Sequence, residues 1–361
     1  EINLRSALGG VRAGSSSDVS IDIVHARLED LEDLRPMHIT ELFDIELRPE
    51  ENSVQGPIKS GGRLVLAKPE AIQKDTPLKV SGELTGEKGT SLESTQQLVS
   101  MREADFGEKG TTAIQAPFID LNHSRVRGDQ VFLHPTEGPA TLENTDVDAT
   151  NEVQLEGGVC AKNSRFRANR VRGSGDSYNF VRSLVQGEEE VTFTSFKELT
   201  VGTDSEFIGK EILLRGCIGE EGRSQVKIYG HVEGNQVKIV TPVLKALVQE
   251  IVTHGSGNFW TQTLSNRPTI EGSRSLEIEC DEGYMEAAFL RAGDEGLSIA
   301  ARLLKIVPVG LQSHSAYHSK RHTRTVDAME YTRSFLESLG NIQITIGEKG
   351  RYESIGTIVK A

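Results

Sequence analysis

The sequence has few cysteines and few aromatic residues, and each shortage limits the classes of protein it can belong to. Cys160, Cys217 and Cys280 form an odd, scattered set without a CxxC spacing, so neither a disulfide framework nor a structural zinc site is indicated. We expect the three thiols to be small buried groups. Aromatic residues make up 5% of the 361 residues, so the core must consist mainly of aliphatic side chains.

Long apolar segments and the motifs of common enzymes are also missing. No apolar run approaches about 18 residues, so the sequence predicts no transmembrane helix. It contains no GxSxG elbow, no HExxH pair and no phosphate-binding P-loop. The glycines of THGSGNF, residues 253–259, follow a predicted helix and therefore lack the helix N-terminus that favours phosphate. These absences favour a protein that is not an enzyme, and no cofactor is predicted.

The charge balance is acidic, with a formal net charge of -13 at pH 7. This disfavours a protein whose whole surface coats nucleic acid, because phosphate contacts need basic side chains, but it allows a local basic groove. The apolar and charged fractions of 36% and 26% are typical of a soluble globular protein. The sequence does not indicate a compartment.

Glycine is abundant, at 36 residues, and short aliphatic segments alternate with polar corners. The pattern is clearest in residues 112–240, where segments such as VKIYGHVEGNQVKIV repeat without one fixed length. A few residues of strand, a polar corner and then strand again are typical of a wound β structure. We predict a mostly β fold, either β-solenoid-like or a multi-sheet β body, with a few short packing helices. The alternative is an α+β fold.

Composition divides the chain into four regions. Residues 1–18 are rich in Gly and Ser and predict a flexible arm. Residues 19–111 predict a mixed β/α region, and residues 112–255 predict the repetitive β region with a capping helix. Residues 256–361 predict an α+β region that ends in a β-hairpin.

Local start and stop signals predict four helices and one hairpin. Thr90 and Glu93 form a capping box before a helix over 91–101. Thr241 and Pro242 begin an apolar stripe that continues to Val252. Two further helices are predicted over 295–307 and 325–339. Alternating isoleucines on both sides of a glycine turn predict the hairpin over 342–358.

Two basic segments are candidates for binding a polyanion, either nucleic acid or an acidic polysaccharide. On a strand, arginines two positions apart share one face and could follow a phosphate or carboxylate backbone, with Phe166 packed or stacked between them. Ion pairing with the protein's own carboxylates is the alternative interpretation. The candidate residues are Lys162, Arg165, Arg167, Arg170 and Arg172 in the first segment, and Lys320, Arg321 and Arg324 in the second.

Three histidines and two sets of carboxylates complete the candidate groups. His314, His318 and His322 recur at every fourth position, so on a helix their imidazoles would share one face and could bind a metal ion or an anion. The adjacent basic residues disfavour a cation. Two carboxylate sets alternate on predicted strands and could hold calcium or act as an acid/base pair, although a solvated strand face is the simpler interpretation. They are Asp146 with Asp148, and Glu277 with Glu279 and Asp281.

Together these features favour a structural protein that assembles with copies of itself as a scaffold, such as a virion, tail or filament component. The arm and the terminal hairpin are the reason, because extended segments and strand edges readily join subunits. A polyanion-binding module and a polysaccharide-active enzyme are the two alternatives.

Overall fold

The computed structural model describes residues 45–47, 53–67, 77–95, 97–219, 222–249, 251–318 and 322–361. All regular structure in these ranges is β-strand, and most of it is parallel. The mostly β, solenoid-like fold predicted from the sequence is therefore confirmed. The chain divides into two compact units between Arg172 and Gly173, which are described separately. The predicted arm over 1–18 lies outside the described residues.

The first unit is a parallel β-solenoid. Its strands are β1 (Ile45–Leu47), β2 (Ser53–Gln55), β3 (Ile58–Ser60), β4 (Arg63–Ala67), β5 (Leu78–Gly86), β6 (Gly89–Glu93), β7 (Val99–Phe106), β8 (Thr111–Ala116), β9 (Ile119–Asn122), β10 (Arg125–Pro135), β11 (Ala140–Glu143), β12 (Asp146–Lys162) and the start of β13 (Arg165–Val181).

Each coil of this unit has three strand segments separated by corners. In one coil these are residues 125–128 and 130–135 of β10, followed by β11, and we call the surfaces they form face A, face B and face C. The next coil lies in register beneath it, with Arg125 paired to Asp146 and Leu142 paired to Ala161. One coil takes about 20 residues, so an interior strand such as β10 gains hydrogen bonds from the coils before and after it.

Side chains that alternate inward fill the interior of the coil. Val126, Val131, Leu133 and Leu142 are fully buried, whereas the residues between them face outward. Each buried aliphatic side chain of this size contributes about 1.5–3 kcal/mol relative to an exposed one. The short aliphatic segments of the sequence thus form a continuous core.

The corner between face C and face A repeats the same pair of residue types. A residue with left-handed backbone is followed by a buried hydroxyl residue, which hydrogen-bonds the neighbouring coil. The hydroxyl of Thr145 donates to the Leu121 carbonyl at 3.1 Å, and the Thr145 amide donates to the Ser164 hydroxyl at 3.2 Å. Asn adopts this conformation more readily than most residues. The pairs in the first unit are His123 with Ser124, Asn144 with Thr145, and Asn163 with Ser164.

The second unit is also a parallel β-solenoid, with two antiparallel hairpins inserted. Its strands after β13 are β14 (Leu184–Val201), β15 (Glu206–Gly216), β16 (Ile218–Gly219), β17 (Gly222–Arg223), β18 (Gln225–Ile228), β19 (His231–Ala246), β20 (Ile251–Ser256), β21 (Phe259–Leu264), β22 (Thr269–Glu286), β23 (Phe289–Ala292), β24 (Gly296–Val307), β25 (Val309–His318), β26 (Thr323–Thr332), β27 (Phe335–Ser338), β28 (Ile342–Ser354) and β29 (Ile358–Lys360).

Aromatic side chains from successive coils stack inside this unit. Phe193 lies 5.0 Å from Tyr178, 5.4 Å from Phe180 and 5.4 Å from Phe207, measured between ring centroids. All four rings are fully buried. Edge-to-face and tilted contacts of this kind add to the free energy gained from burial.

The two hairpins together form a four-stranded antiparallel sheet, which we call the side sheet. The strands β20 and β21 form one hairpin and β25 and β26 form the other, and β21 pairs with β25. The first hairpin leaves the coil after Ala246 and the second after Val307, in both cases at the end of the third strand segment of a coil. The parallel ladder continues past both insertions, because β19 pairs with β22 and β24 pairs with β28.

The predicted helices are wrong. The segment 91–101 falls on β6 and β7, and the Thr90 hydroxyl accepts a hydrogen bond from the Gly86 amide at 3.0 Å instead of capping a helix. In the segment from Thr241 to Val252, residues 241–246 belong to β19 and residues 251–252 to β20. Residues 296–307 form β24, and 325–339 fall mostly on β26 and β27. Strands on both sides bury Leu244 completely, so tertiary packing overrides the local helix signals.

The predicted terminal hairpin is wrong as well. Residues of β28 on both sides of the Gly347–Gly350 segment pair with β24 in parallel, and β29 pairs in parallel with β27. The chain therefore turns a corner and continues the coil. Alternation of Ile342, Ile344 and Ile346 reflects inward and outward positions on a coil, a pattern that does not distinguish parallel from antiparallel partners.

The cysteines differ in exposure. Cys160 is exposed, so the expectation that all three are buried is wrong, while Cys217 and Cys280 are intermediate. Burial, with a contribution from Asp281, raises the pKa of Cys280 to about 12. Within the described ranges, the chain has no helix with the length and apolar character that a membrane crossing requires.

Candidate functional site

The first basic segment lies on the outside of the first unit, and three of its five cations already have carboxylate partners. Arg165 and Arg170 have no ion-pair partner among the residues that the structure describes. Ion pairing by the other three lowers the positive potential that a polyanion would encounter. The pairs are Lys162 with Glu143 at 3.0 Å, Arg167 with Asp148 at 2.8 Å, and Arg172 with Glu152 at 3.3 Å.

Charges of opposite sign alternate along face A of the same unit. Asp105 pairs with Arg127 at 2.7 Å, and Asp148 lies beside Arg127 in the next coil and binds Arg167. Hydrogen bonds that Arg167 donates to Asp148, together with the negative charge of that carboxylate, raise the pKa of Arg167. Phe166 is fully buried in the core, so it cannot stack on a bound base or sugar. Arg127 and Arg167 are thus part of a charge-balanced row.

Of the second basic segment, the structure describes Arg324, which lies on the side sheet. Lys320 and Arg321 lie outside the described residues, and Arg324 is exposed on β26. The structure therefore describes only one of the three predicted contacts, and it places Arg324 in the second unit, whereas the first basic segment is in the first.

The three histidines lie on a hairpin instead of a helix. His314 and His318 are on β25, where four residues of strand separate them by about 13 Å, and His322 immediately precedes β26. His314 Nδ1 lies 2.5 Å from Asp327 Oδ1, and His318 Nδ1 lies 3.2 Å from Thr323 Oγ1. The structure does not bring the imidazoles together, and among the described residues no group of three His, Cys, Asp or Glu side chains is placed to hold a metal ion.

The carboxylate sets lie on strand faces, each with cations nearby. Lys238 Nζ lies 3.0 Å from Glu277 and 2.9 Å from Glu279, and the hydrogen bond from Lys238 is the main reason that the pKa of Glu279 is lowered. Asp281 pairs with Arg223 at 2.8 Å. A carboxylate with a lowered pKa is a poor proton donor near neutral pH. These groups therefore have the chemistry of surface ion pairs.

One surface depression lies on face B of the first unit, and no residue in it was predicted from the sequence. Its volume is about 230 Å³, and neighbouring coils contribute to it through β8, β10 and β12. Its side chains are an unusual mixture of a half-buried aromatic ring, two amides, an imidazole and one carboxylate. They are Ala113, Gln115, Phe132, His134, Gln154 and Glu156.

The side sheet presents a second group of side chains in a row across three strands. Trp260 stacks on His314 with ring centroids 6.1 Å apart and an interplanar angle of 18°, and His314 contacts Asp327. On the same face, Met329 and Tyr331 are about half exposed. Nothing in the described structure covers this face.

The coil that contains β28 and β29 has no described strand on the side away from β24 and β27. Among the described residues, β28 pairs only with β24 and β29 pairs only with β27. Val359 lies directly over Leu336 in the ladder, yet Val359 is 56% exposed and Leu336 is 1% exposed. The core of the coil therefore reaches the surface here, beside unpaired backbone groups.

Sequence reasoning missed the depression because its residues are contiguous only across coils. Gln115, His134 and Glu156 are far apart in sequence and adjacent in register. Knowing the repeat length would have aligned them, and the corner pairs of a polar residue with Ser or Thr were the available signal.

Comparison with known proteins gives no match to a family model, to a curated protein or to a solved structure, so the function of this chain has to be argued from its own residues.

Proposed function

We propose that this chain is a structural protein that assembles with a second copy of itself through the last coil of its second unit. The open edge of β28 and β29, with exposed apolar side chains beside it, is the observation that carries the proposal. Unpaired strand edges gain backbone hydrogen bonds when another strand is added. A parallel solenoid supplies the stiff body that a scaffold needs.

The backbone of β28 has N–H and C=O groups available to pair with another strand. The Leu297 amide donates to the Asn341 carbonyl at 2.9 Å, which fixes the direction of the alternating groups along the strand. By this alternation, the amides of Ile342, Ile344 and Ile346 point away from β24. Within the described ranges, no strand lies on that side.

The side chains at this edge favour burial. Tyr352 is 44% exposed and Ile355 is 51% exposed, in addition to Val359. In the coil below, Leu304 and Leu336, which pair with Tyr352 and Val359, are each 1% exposed. Covering the last coil would bury this apolar surface, at about 25 cal/mol per Å².

The charges at this edge favour a second copy over a charged partner. Glu353 lies 3.5 Å from both Lys305 and Arg351, and Lys360 lies 2.8 Å from Glu337. These groups neutralise one another, so they do not select an acidic or a basic ligand. Two identical edges can pair about a two-fold axis, because each supplies the same donors and acceptors.

Charge substitutions at the edge test the proposal. Ile344→Lys places an ammonium group at the exposed end of the core, whereas Thr345→Lys places it on the outer face of the same strand. We expect light scattering to show a dimer or larger species for the wild type and for Thr345→Lys, and a monomer for Ile344→Lys. A wild type that stays monomeric at all concentrations, or an Ile344→Lys variant of unchanged mass, would overturn the proposal.

A point substitution is preferable to truncation of the last coil. Removing residues 341–361 would uncover β24 and β27, which would then form a new open edge of the same kind. Assembly of a truncated protein would therefore not distinguish the original interface from a new one.

A further inference from the structure

We propose that the depression on face B of the first unit binds one ring of a neutral saccharide. The inference is independent of the proposed assembly, which uses the second unit. Residues from three successive coils line the depression, and its volume of about 230 Å³ is below the roughly 300–1,000 Å³ of pockets that enclose drug-sized ligands. A single ring, alone or within a longer chain, suits this size and the open face.

The lining side chains form two short rows across the coils. Register places Ala113 beside Phe132 and Phe132 beside Gln154, and it places Gln115 beside His134. Strands lie about 4.8 Å apart, and residues on one face of a strand repeat at about 6.6 Å. The rows thus present an apolar group and several polar groups within the span of one sugar ring.

The polar groups orient one another. Gln154 Nε2 donates to Glu156 Oε1 at 2.6 Å, and His134 Nδ1 contacts the other carboxylate oxygen, Oε2. With Nδ1 used in this way, Nε2 of His134 is the remaining ring nitrogen for a ligand. The Gln154 carbonyl and the Gln115 amide add an acceptor and donors. Such groups match hydroxyls, which both donate and accept hydrogen bonds.

Phe132 supplies an apolar platform. Its ring is half-buried on the outer face of the coil, and the neighbour on one side, Ala113, is too short to cover it. A pyranose ring has an apolar C–H face and polar edges, so it can lie on an aromatic ring while its hydroxyls reach the adjacent polar row. A ligand with only an apolar surface would leave the polar row without partners, and a ligand with only charged groups would leave the Phe132 ring uncovered.

The charges of the site select a neutral ligand. Glu156 is the one carboxylate among the lining residues, and none of them is Lys or Arg, so an anionic sugar would be repelled. A cation would find too few oxygen ligands, because hard metal ions bind six or more. The overall charge of -13 also disfavours an acidic polymer.

Ligand-observed NMR tests the inference on the full chain. Saturation-transfer spectra are recorded with neutral cello-, malto- and chito-trioses and with an acidic tri-galacturonate, each at up to about 10 mM, to detect weak binding. We expect transfer to at least one neutral trisaccharide and none to the acidic one. Absence of transfer to every neutral probe, or transfer to the acidic probe alone, would overturn the inference.

Three substitutions locate the binding. Phe132→Ala removes the platform, and Ala113→Leu covers it without changing a polar group. We expect each to raise Kd about tenfold, which corresponds to about 1.4 kcal/mol. Thr141→Leu, an exposed outward position on face C of the same unit, is the control and should leave Kd unchanged. Retained binding in a folded Ala113→Leu variant, verified by circular dichroism, would place the ligand elsewhere and overturn the inference.

Discussion

The second unit contains two kinds of β structure that bury their side chains to very different degrees. In the coil, Val191 and Phe193 of β14 are fully buried. In the side sheet, all nine residues of β26 from Thr323 to Tyr331 are exposed. A coil strand is covered by neighbours on both sides and by the core, whereas β26 of the side sheet has solvent on both faces. The coil therefore supplies stability, and the side sheet adds exposed surface at little cost to it.

The largest expected effect comes from emptying the aromatic stack. Phe193→Ala should lower the free energy of unfolding by about 3–5 kcal/mol, because it leaves a cavity among three other rings. Trp260→Ala on the side sheet should lower the free energy of unfolding by much less. Denaturant unfolding followed by circular dichroism measures both, and equal losses would contradict the division of roles between coil and side sheet.

A corner hydroxyl should come next. Ser205 is 1% exposed; its hydroxyl donates to the Phe180 carbonyl at 2.9 Å and accepts from the Ser183 amide at 3.1 Å. Ser205→Ala removes both of these buried hydrogen bonds and should cost about 1–3 kcal/mol. Ser256→Ala, at an exposed position of the side sheet, is the matched control. A loss of similar size in both variants would show that the corner hydrogen bonds contribute little to stability.

An ion pair on the coil of the second unit should give a smaller effect that depends on pH. Burial acts to raise the pKa of Glu198, but hydrogen bonds from Lys227 and Thr200 outweigh it, so the pKa is lowered in the folded state. The resulting stability is present above the unfolded pKa of about 4.3 and is lost as the pH falls through the folded value.

Lys227→Met should therefore cost under about 1 kcal/mol at pH 7, since solvent screens this partly exposed pair. The difference from wild type should shrink as the pH is lowered from 7 toward 2, because protonation of Glu198 removes the ion pair. Thermal unfolding at the two pH values is the measurement, with Arg324→Met on the side sheet as the control. A cost that persists at low pH would mean that Lys227 acts through packing.

Removing a side-sheet hairpin should change the stability of the coil least. Two residues, Ala287 and Ala288, join β22 to β23 at the corresponding corner of another coil. A short linker in place of residues 309–332 should therefore keep β24 and β27 in the ladder. Hydrogen exchange should show unchanged protection in β24 and faster exchange in β21, which loses β25. Loss of protection in β24 would show that the coil depends on the side sheet.

The strands of the coil were predictable from the sequence, but the pairing between these strands was not. Alternation at Leu64 to Leu66, Leu78 to Val80 and Leu276 to Cys280 correctly indicated strands, which lie in β4, β5 and β22. The same residues do not reveal which strand lies beside them, because parallel neighbours come from the adjacent coils. The apolar stripe from Val243 to Val252 shows the limit most clearly. It fits a helix locally, yet residues 243–246 pair as strand with β18 and β22, and Ile251 is 41% exposed on β20.

The candidate sites were predictable to a smaller extent. The basic segment around Arg167 was correctly placed on alternating outward positions, and ion pairing was already the competing interpretation. The depression around His134 could not be found, because three coils contribute to it and the sequence did not give the repeat length. Corner pairs such as Asn144 with Thr145 and Asn163 with Ser164 would have supplied it.

The alternating charges of face A also bear on how the chain finds its register as it folds. Arg127 lies between Asp105 and Asp148, and Arg167 follows Asp148. A strand that skipped one coil would bring Arg127 beside Arg167, and the repulsion between like charges would oppose that mispairing. The alternating charges therefore disfavour a fold in which one coil is skipped. The aliphatic interiors of the coils are too similar to prevent that mispairing by themselves.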